Sequence, residues 1–351
     1  MRSLQDLSLS AAVAGFVAVL VGFTSSVALV FQAATSLGAT PAQTTSWIWA
    51  LGIGMGITSI ALSLRFRQPV LVAWSTPGAA VIATAAAASG VTMPEAIGAF
   101  IACALLIALS GITGLFARVM NRIPMALASA LLAGVLARFG MDAFSALKTQ
   151  FALVIAMFLV YLHGRRFWPR YAVPGVLAVG IFVASSLGEL HWSAVQWSLA
   201  LPVWTTPSFT LSSFIGLALP LFVVTMASQN LPGVAAIRTA GYDTPISPLI
   251  TWTGLATLVL APFGAYALNL PAITAAMCMS REAHADPRRR YMASVAAGVF
   301  YILVGLVGGA VVGLLAAFPK ELVIAVAGLA LLGTIGAGLA TAVKDEQHRV
   351  A

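Results

Sequence analysis

The sequence predicts an all-α integral membrane protein built as an inverted seven-helix repeat, a 7+7 architecture whose second repeat is incomplete. Three observations support this class: the composition, the placement of Lys and Arg, and a likeness between the two halves of the chain. Of the 351 residues, 60% are hydrophobic and only 8% are charged, against about 25% charged in a soluble domain. The apolar runs are long and continuous rather than alternating, which favours membrane helices.

The apolar runs divide the chain into about twelve segments. They lie at about 10–36, 45–64, 70–90, 94–117, 123–140, 146–163, 172–188, 210–237, 247–264, 266–280, 291–316 and 319–343. Two of them, 70–90 and 266–280, are short and interrupted by proline, so they are predicted to be half-helix segments.

The positive residues give the orientation. With the N-terminus inside, fifteen of the 18 Lys and Arg residues fall in inside loops, and Arg138, Lys148 and Lys320 fall outside. Such a bias marks cytoplasmic loops. The sequence therefore predicts a multi-pass protein of the bacterial inner membrane with a cytoplasmic N-terminus, and the net charge of +8 is assigned to these loops rather than to nucleic-acid binding.

The two halves of the chain resemble each other. The matching stretches are 38-GATPAQTTSW-47 with 241-GYDTPISPLITW-252, and 109–136 with 304–333. Seven segments, an odd number, precede the second copy, so the copies enter the membrane with opposite topology. The last segment, 319–343, corresponds to the fifth of seven, and we expect partners for the sixth and seventh to be absent from an incomplete or truncated chain.

The two short segments form the predicted binding site. Each has a short extended run, then a proline, then a half-helix: 73-AWSTPGAAVIATAAAA-88 and 266-YALNLPAITAAMCM-279. Free N–H groups and the helix dipole at such N-termini favour an anion. The alternative is that proline and glycine only kink these helices. The candidate substrate-binding residues are Ser75, Thr76, Pro77, Gly78, Asn269, Leu270, Pro271 and Ala272.

Two further polar stretches flank this site. Gln229 and Asn230 stand beside Pro232–Gly233 in 225-TMASQNLPGVAAIR-238, where we predict a second helix break and favour ligand contact. Phe23 and Thr24 lie in 22-GFTSSVALVFQ-32. They are also candidates, with Phe23 packing on an apolar ligand, although helix packing is the favoured role for Thr24.

Groups able to carry protons are scarce. The loop 281-REAHADPRRR-290 holds Glu282, His284 and Asp286, a candidate proton relay, although a solvated loop is the favoured interpretation. We find no nucleophile–base arrangement, phosphate loop or metal-ligand spacing. The sequence therefore predicts neither an enzyme nor a cofactor or metal site.

Four motifs, WSTPGAA, SQNLPG, NLPAIT and REAHADP, resemble those of the BenE family of benzoate/proton symporters, over essentially the whole chain. The resemblance implies the uracil/xanthine permease-like fold, with substrate between the third and tenth segments, beside the first and eighth. It implies a core domain from 1–117 and 210–316, and a gate domain from 118–190 and 317–351.

One departure from the related nucleobase permeases concerns charge. Those proteins carry glutamates on the eighth and tenth helices, whereas this chain has Gln229, Asn230 and Asn269 in those regions. A site poor in carboxylates fits an anionic substrate and leaves the proton carrier unassigned.

We therefore predict a secondary active transporter that imports benzoate or a similar aromatic carboxylate with protons, by alternating access. The alternative is a transporter of the same fold for a nucleobase or another small anion; a channel or a membrane enzyme is a third hypothesis. The predicted partners are the substrate, protons and the lipid bilayer, with no nucleic acid. A homo-oligomer is left open.

Overall fold

The structure, a computed structural model, describes residues 6, 8–116, 133–134, 137, 140–168, 172–192, 199–280 and 283–343. The chain forms two compact units, each described by itself below. The first unit comprises Met1–Val19, Ala33–Ile123 and Ala200–Gly308, and the second comprises Leu20–Gln32, Pro124–Leu199 and Gly309–Ala351. The assignment of core and gate domains stays a prediction.

The described elements are helices joined by short turns, with one pair of very short strands. In chain order they are α1 (Leu9–Ser36), α2 (Pro41–Phe66), β1 (Ala73–Trp74), α3 (Thr76–Ser89), α4 (Met93–Ile112), α5 (Phe151–Phe167), α6 (Ala172–Ser186), α7 (Leu211–Arg238), α8 (Ile246–Leu260), β2 (Leu268–Asn269), α9 (Ile273–Met279), α10 (Tyr291–Leu306), α11 (Gly308–Ala317) and α12 (Lys320–Ala342). Single 3₁₀ turns occupy Ala146–Lys148, Ala261–Phe263 and Pro287–Arg289.

Several of these helices can cross a membrane. By length and composition, five spans qualify among the described residues, and a sixth does if α1, which bends by 42° between Phe23 and Ser26, counts as one span. The predicted multi-pass helical membrane protein is confirmed at this level. The predicted segment 123–140 lies largely outside the described residues.

One predicted segment is wrong. Residues 291–316 were expected to form a single helix, but α10 ends at Leu306 and α11 starts at Gly308. The backbone at Gly308 packs tightly, because a Cβ placed there would lie 3.2 Å from the Ala200 side chain. The Leu306 carbonyl also accepts a hydrogen bond from the Ala200 N–H, 2.8 Å away. A glycine and this outside partner let the helix stop inside an apolar run.

Helix starts follow local side-chain chemistry. At α2, the Thr40 hydroxyl accepts a hydrogen bond from the Gln43 N–H at 3.2 Å, and the Gln43 side-chain oxygen accepts one from the Thr40 N–H at 3.0 Å. Pro41 takes the first helical position, where its missing N–H costs nothing. The same reciprocal arrangement, between Thr92 and Glu95, starts α4.

Glycines let helices of the first unit approach closely. The contacts join α2 to α10 and α4 to α8. A Cβ on Gly52 of α2 would lie 2.6 Å from the Cα of Gly305 on α10, and one on Gly254 of α8 would lie 2.5 Å from the N of Ala108 on α4. Backbone contacts of this kind replace the hydrophobic effect, which does not drive helix association in lipid.

The second unit has its own apolar core. It is formed by α5, α6 and α12, whose facing side chains include Leu153, Met157, Val176, Leu322 and Leu329, all at most 1% exposed. Leu153 and Met157 lie four residues apart and Leu322 and Leu329 lie seven apart, spacings that put each pair on one face of its helix.

Candidate functional site

The two predicted half-helix segments meet at a two-stranded antiparallel ladder. Ala73 of β1 pairs with Asn269 of β2, and Trp74 pairs with Leu268. The predicted order of extended run followed by short helix is present in both places, since α3 follows β1 and α9 follows β2. An extended backbone inside a membrane protein needs partners for every polar group, so the question is what supplies them.

Side chains of α2 supply the partners for the first segment. Three residues spaced four apart on α2 accept hydrogen bonds from alternate N–H groups of 70–74. The pairs are Val70 N with Ser63 Oγ at 3.2 Å, Val72 N with Ser59 Oγ at 2.9 Å and Trp74 N with Met55 Sδ at 3.1 Å. The geometry matches because four helical residues rise about 6.0 Å and two strand residues about 6.6 Å. The sequence interpretation missed these residues, whose signal was a four-residue spacing.

Helix α7 supplies a hydrogen-bond acceptor for the second segment. Asn230 Oδ1 accepts a hydrogen bond from the Leu270 N–H at 3.0 Å, and its Nδ2 donates to Met226 Sδ at 3.1 Å. A Cβ on Gly233 would lie 2.0 Å from the Leu270 carbonyl oxygen, so the two backbones touch. Asn230 is fully buried, and its contacts position the 268–271 segment.

The start of α3 is tied to the same helix. Ser75 Oγ accepts hydrogen bonds from the Gly78 N–H at 3.0 Å and from Thr225 Oγ1 at 2.9 Å. Both hydroxyl-bearing residues are fully buried. A Cβ on Gly78 would lie 2.7 Å from a Leu221 methyl group. The structure thus gives Ser75 a capping role and Gly78 a packing role; Thr76 beside them is half-buried.

The second helix break, predicted at Gln229 and Asn230 beside Pro232–Gly233, is wrong as an interruption of the helix. Helix α7 continues through all four residues, and the irregularity is a π-helical turn, Met226–Asn230, which includes Gln229 and Asn230. The Leu231 N–H donates to the Met226 carbonyl, five residues back. The wider turn makes room for the Pro232 ring, which would otherwise clash with the carbonyl four residues earlier. A second π turn, Phe214–Ala218, precedes Pro220 in the same way.

Asn269 has a different environment from Asn230. It is fully buried at the ladder, and its Nδ2 donates to the Ala267 carbonyl at 3.2 Å. Its Oδ1 has no hydrogen-bond partner among the described residues. Ala267 has a φ of +36°, which is uncommon for a residue with a side chain. An unpaired buried amide oxygen costs about 1–3 kcal/mol, so it marks a place where a ligand or water belongs.

The other residues of the ladder region differ in exposure. Leu270 and Pro271 are buried and Ala272 is half-buried. Ile273, the first residue of α9, is 73% exposed. Gln229 is half-buried on the π turn Met226–Asn230.

Two predicted residues belong to a different part of the chain. Phe23 and Thr24 lie on α1 within the stretch assigned to the second unit, and the Thr24 side chain lies outside what the structure describes. They remain predictions.

The predicted proton relay is only partly visible. Glu282 lies outside the described residues. His284 Nδ1 accepts a hydrogen bond from the Asp286 N–H at 2.9 Å, and Asp286 Oδ1 accepts one from the Arg288 N–H at 2.9 Å. Both hydrogen bonds join residues two apart in a turn, and Asp286 is exposed. This agrees with the interpretation of the stretch as a solvated loop.

The interrupted segments and the helices long enough to cross a membrane define a helical membrane protein, and a solved structure shows its fold. The chain has the fold of the transmembrane domain of a cyanobacterium bicarbonate transporter, BicA, with a TM-score of 0.66 at 13% sequence identity, covering 99% of this chain and 91% of that chain.

The particular family follows from sequence. The chain belongs to the benzoate membrane transport protein family, BenE, which matches residues 5–351. It is 50% identical to the inner membrane protein YdcO of Escherichia coli over 336 residues, 96% of this chain and 85% of that protein. It is 41% identical to a benzoate membrane transport protein of Acinetobacter baylyi over 345 residues, 98% of this chain and 87% of that protein. The family resemblance noted from four motifs is confirmed.

Proposed function

We propose that this protein imports benzoate or a similar aromatic carboxylate together with protons, by alternating access in the bacterial inner membrane. The substrate class is supported by the name of the family and of the Acinetobacter baylyi relative. The observation that carries the site is the unpaired, fully buried Asn269 Oδ1 at the junction of the two half-helix segments.

The orientation of the Asn269 amide favours a particular form of the substrate. Because Nδ2 donates to the Ala267 carbonyl, Oδ1 is left as an acceptor, and an acceptor suits the O–H of a carboxylic acid. Protonating a carboxylate of pKa about 4 at pH 7 costs about 4 kcal/mol. Burying the bare anion costs several kcal/mol as well. The two costs are comparable, so a pocket with an unpaired acceptor can select the neutral acid.

This arrangement makes the substrate its own proton carrier. The carboxylates described within helices include Glu95 and Glu321, which lie in the first turns of α4 and α12 rather than in mid-helix. One proton then enters with each benzoate, bound to the carboxyl group, and no net charge crosses the membrane.

Helix packing in the first unit supports the inverted repeat behind alternating access. In the predicted repeat, α2 corresponds to α8 and α4 to α10. The observed pairs are α2 with α10 and α4 with α8, so exchanging the copies turns one pair into the other. Exchanging the two copies also leaves the ladder unchanged, because its two strands, β1 and β2, come one from each copy. A pseudo-symmetric arrangement of this kind is what alternating access in repeat transporters uses.

The function is tested by uptake of radiolabelled benzoate into proteoliposomes containing the purified protein. We expect saturable uptake that an inward proton gradient stimulates and that a membrane potential, set with potassium and valinomycin, leaves unchanged. Stimulation by an inside-negative potential would refute one proton per benzoate. No saturable uptake of benzoate, together with saturable uptake of radiolabelled bicarbonate or uracil by the same proteoliposomes, would establish the alternative substrate class.

The site is tested with two neighbouring asparagines. Asn269→Ala removes the unpaired acceptor, and the relief of its burial cost offsets the lost bond to the Ala267 carbonyl, so we expect at least a tenfold loss of uptake with little change in thermal stability. Asn230→Ala leaves the Leu270 N–H unpaired, so we expect a stability loss of about 1–3 kcal/mol. Full uptake by Asn269→Ala would overturn the site assignment, whatever Asn230→Ala does.

A further inference from the structure

Helices α5 and α6 of the second unit enclose a groove of about 1000 Å³. The two helices touch at one end of the groove through the small residues Gly164 and Ala172. A Cβ on Gly164 would lie 2.9 Å from the Ala172 Cα. The rest of the lining is apolar apart from His163 and includes Leu159. Leu159 is 57% exposed, so the groove opens along a face suited to hydrocarbon.

One end of this hairpin is basic. Arg165 and Arg166 end α5 and are exposed, as are His163 and Trp168. The His163 ring lies 4.5 Å from the Phe167 ring, measured between centroids. Among the described residues, neither arginine forms a salt bridge. His163 and Trp168 line the groove at this end, and the two arginines flank it, with the Arg165 guanidinium beside Gly333 of α12.

The opposite end of the hairpin holds the acidic group. Glu189 follows α6, and its Oε1 accepts a hydrogen bond from Nε2 of Gln150, which precedes α5, at 2.5 Å. Arg165 is 15 residues along the helix from Gln150, a distance of about 22 Å. Charge is thus segregated along the groove, and the carboxylate is too distant to neutralise the basic end.

We propose that this groove binds an anionic phospholipid, with an acyl chain along the apolar lining and the phosphate at Arg165 and Arg166. The positive-inside bias predicts that this loop faces the cytoplasm, and the cytoplasmic leaflet is the one that carries anionic lipids. Basic pockets between helices on that side bind such head groups, and Trp168 suits the interface between head group and chain. This proposal is independent of the substrate and its site.

The test uses quenching of tryptophan fluorescence by brominated lipid. The full chain is reconstituted in phosphatidylcholine containing a minor fraction of either dibrominated phosphatidylglycerol or dibrominated phosphatidylcholine. The Trp168 component is the difference between the wild type and Trp168→Phe. We expect the brominated phosphatidylglycerol to quench this component at a lower lipid fraction than the brominated phosphatidylcholine.

Two kinds of variant locate the lipid. Arg165→Gln and Arg166→Gln should each weaken the preference for phosphatidylglycerol about fivefold, and together about 30-fold, from about 1 kcal/mol per basic residue. Gly175→Leu should abolish the quenching, because a Cβ there already meets Val160 at 3.6 Å and a larger side chain fills the groove. Ser186→Leu adds the same bulk at an exposed position at the far end of α6 and should leave the quenching intact.

Several outcomes overturn the proposal. Equal quenching by both brominated lipids would remove the anionic preference, and quenching that survives Gly175→Leu would place the lipid outside the groove. A Trp168 component that neither lipid quenches, in a protein shown by cross-linking to be dimeric through α5 and α6, would assign the groove to a second copy of the chain. Gly175→Ala, whose side chain fits the available space, is the control that separates filling of the groove from misfolding at the same position.

Discussion

Replacing Gly233 by alanine should destabilise the first unit through one backbone contact. The added Cβ would lie 2.0 Å from the Leu270 carbonyl oxygen, whereas real Cβ contacts are essentially never shorter than 3.0 Å. The ladder segment or α7 must therefore move by about 1 Å. That movement also strains the hydrogen bond between Asn230 Oδ1 and the Leu270 N–H.

The expected size follows from three effects. Overpacking costs about 1–3 kcal/mol, and a weakened buried hydrogen bond costs up to about 3 kcal/mol more. Alanine returns about 1 kcal/mol through its better helix propensity. The net loss is about 3 kcal/mol, which lowers the melting temperature by about 6–12 °C at about 2–4 °C per kcal/mol.

The two free cysteines provide the assay. Cys103 and Cys278 are fully buried, so a thiol-reactive dye reports their exposure when detergent-solubilised protein is heated. Gly216→Ala is the matched control, because it lies on the same helix and a Cβ there meets nothing within 4 Å. We expect that control to melt at or slightly above the wild-type temperature. Equal melting of Gly233→Ala and the wild type would refute the contact argument.

Two further predictions concern buried hydrogen bonds. Ser59→Ala leaves the buried Val72 N–H without its acceptor, so it should lower the free energy of unfolding by about 1–3 kcal/mol. Thr45→Ala, in the first turns of the same helix, should change it by less than about 0.5 kcal/mol in the same dye assay. Arg290→Gln should make cleavage by endoproteinase Asp-N at the exposed Asp286 several-fold faster, because the buried guanidinium donates to the carbonyls of Met279, at the end of α9, and of His284, in the loop that holds Asp286. Arg289→Gln, which removes an exposed ion pair, should have little effect, and equal cleavage of the two variants would contradict this role for Arg290.

Local chemistry made the interrupted segments predictable. Pro77 and Pro271 follow short extended runs, and proline is favoured near the first turn of a helix, so the sequence located both breaks. These signals depend on residues that are adjacent in the chain.

Features that depend on distant partners could not be predicted. Asn230 and Ser75 were predicted to contact the ligand, but they accept hydrogen bonds from Leu270 and Thr225. The residues adjacent to Asn230 and Ser75 in the chain do not identify these partners. Pro232–Gly233 looked like a break because the sequence does not show that a π turn upstream absorbs the proline. The stop at Gly308 was hidden because apolar residues surround it on both sides.

The ladder between β1 and β2 has a consequence for how the chain is made. At about 5–20 residues per second, Asn269 is synthesised about 10–40 s after Ala73. During that interval the first extended run has no strand to pair with. Its N–H groups at Val70, Val72 and Trp74 already have acceptors on α2, which leaves the ribosome earlier. In the nascent first half these lasting bonds to α2 already hold the extended run in place, so only the backbone groups that face β2 wait for the second half to be made.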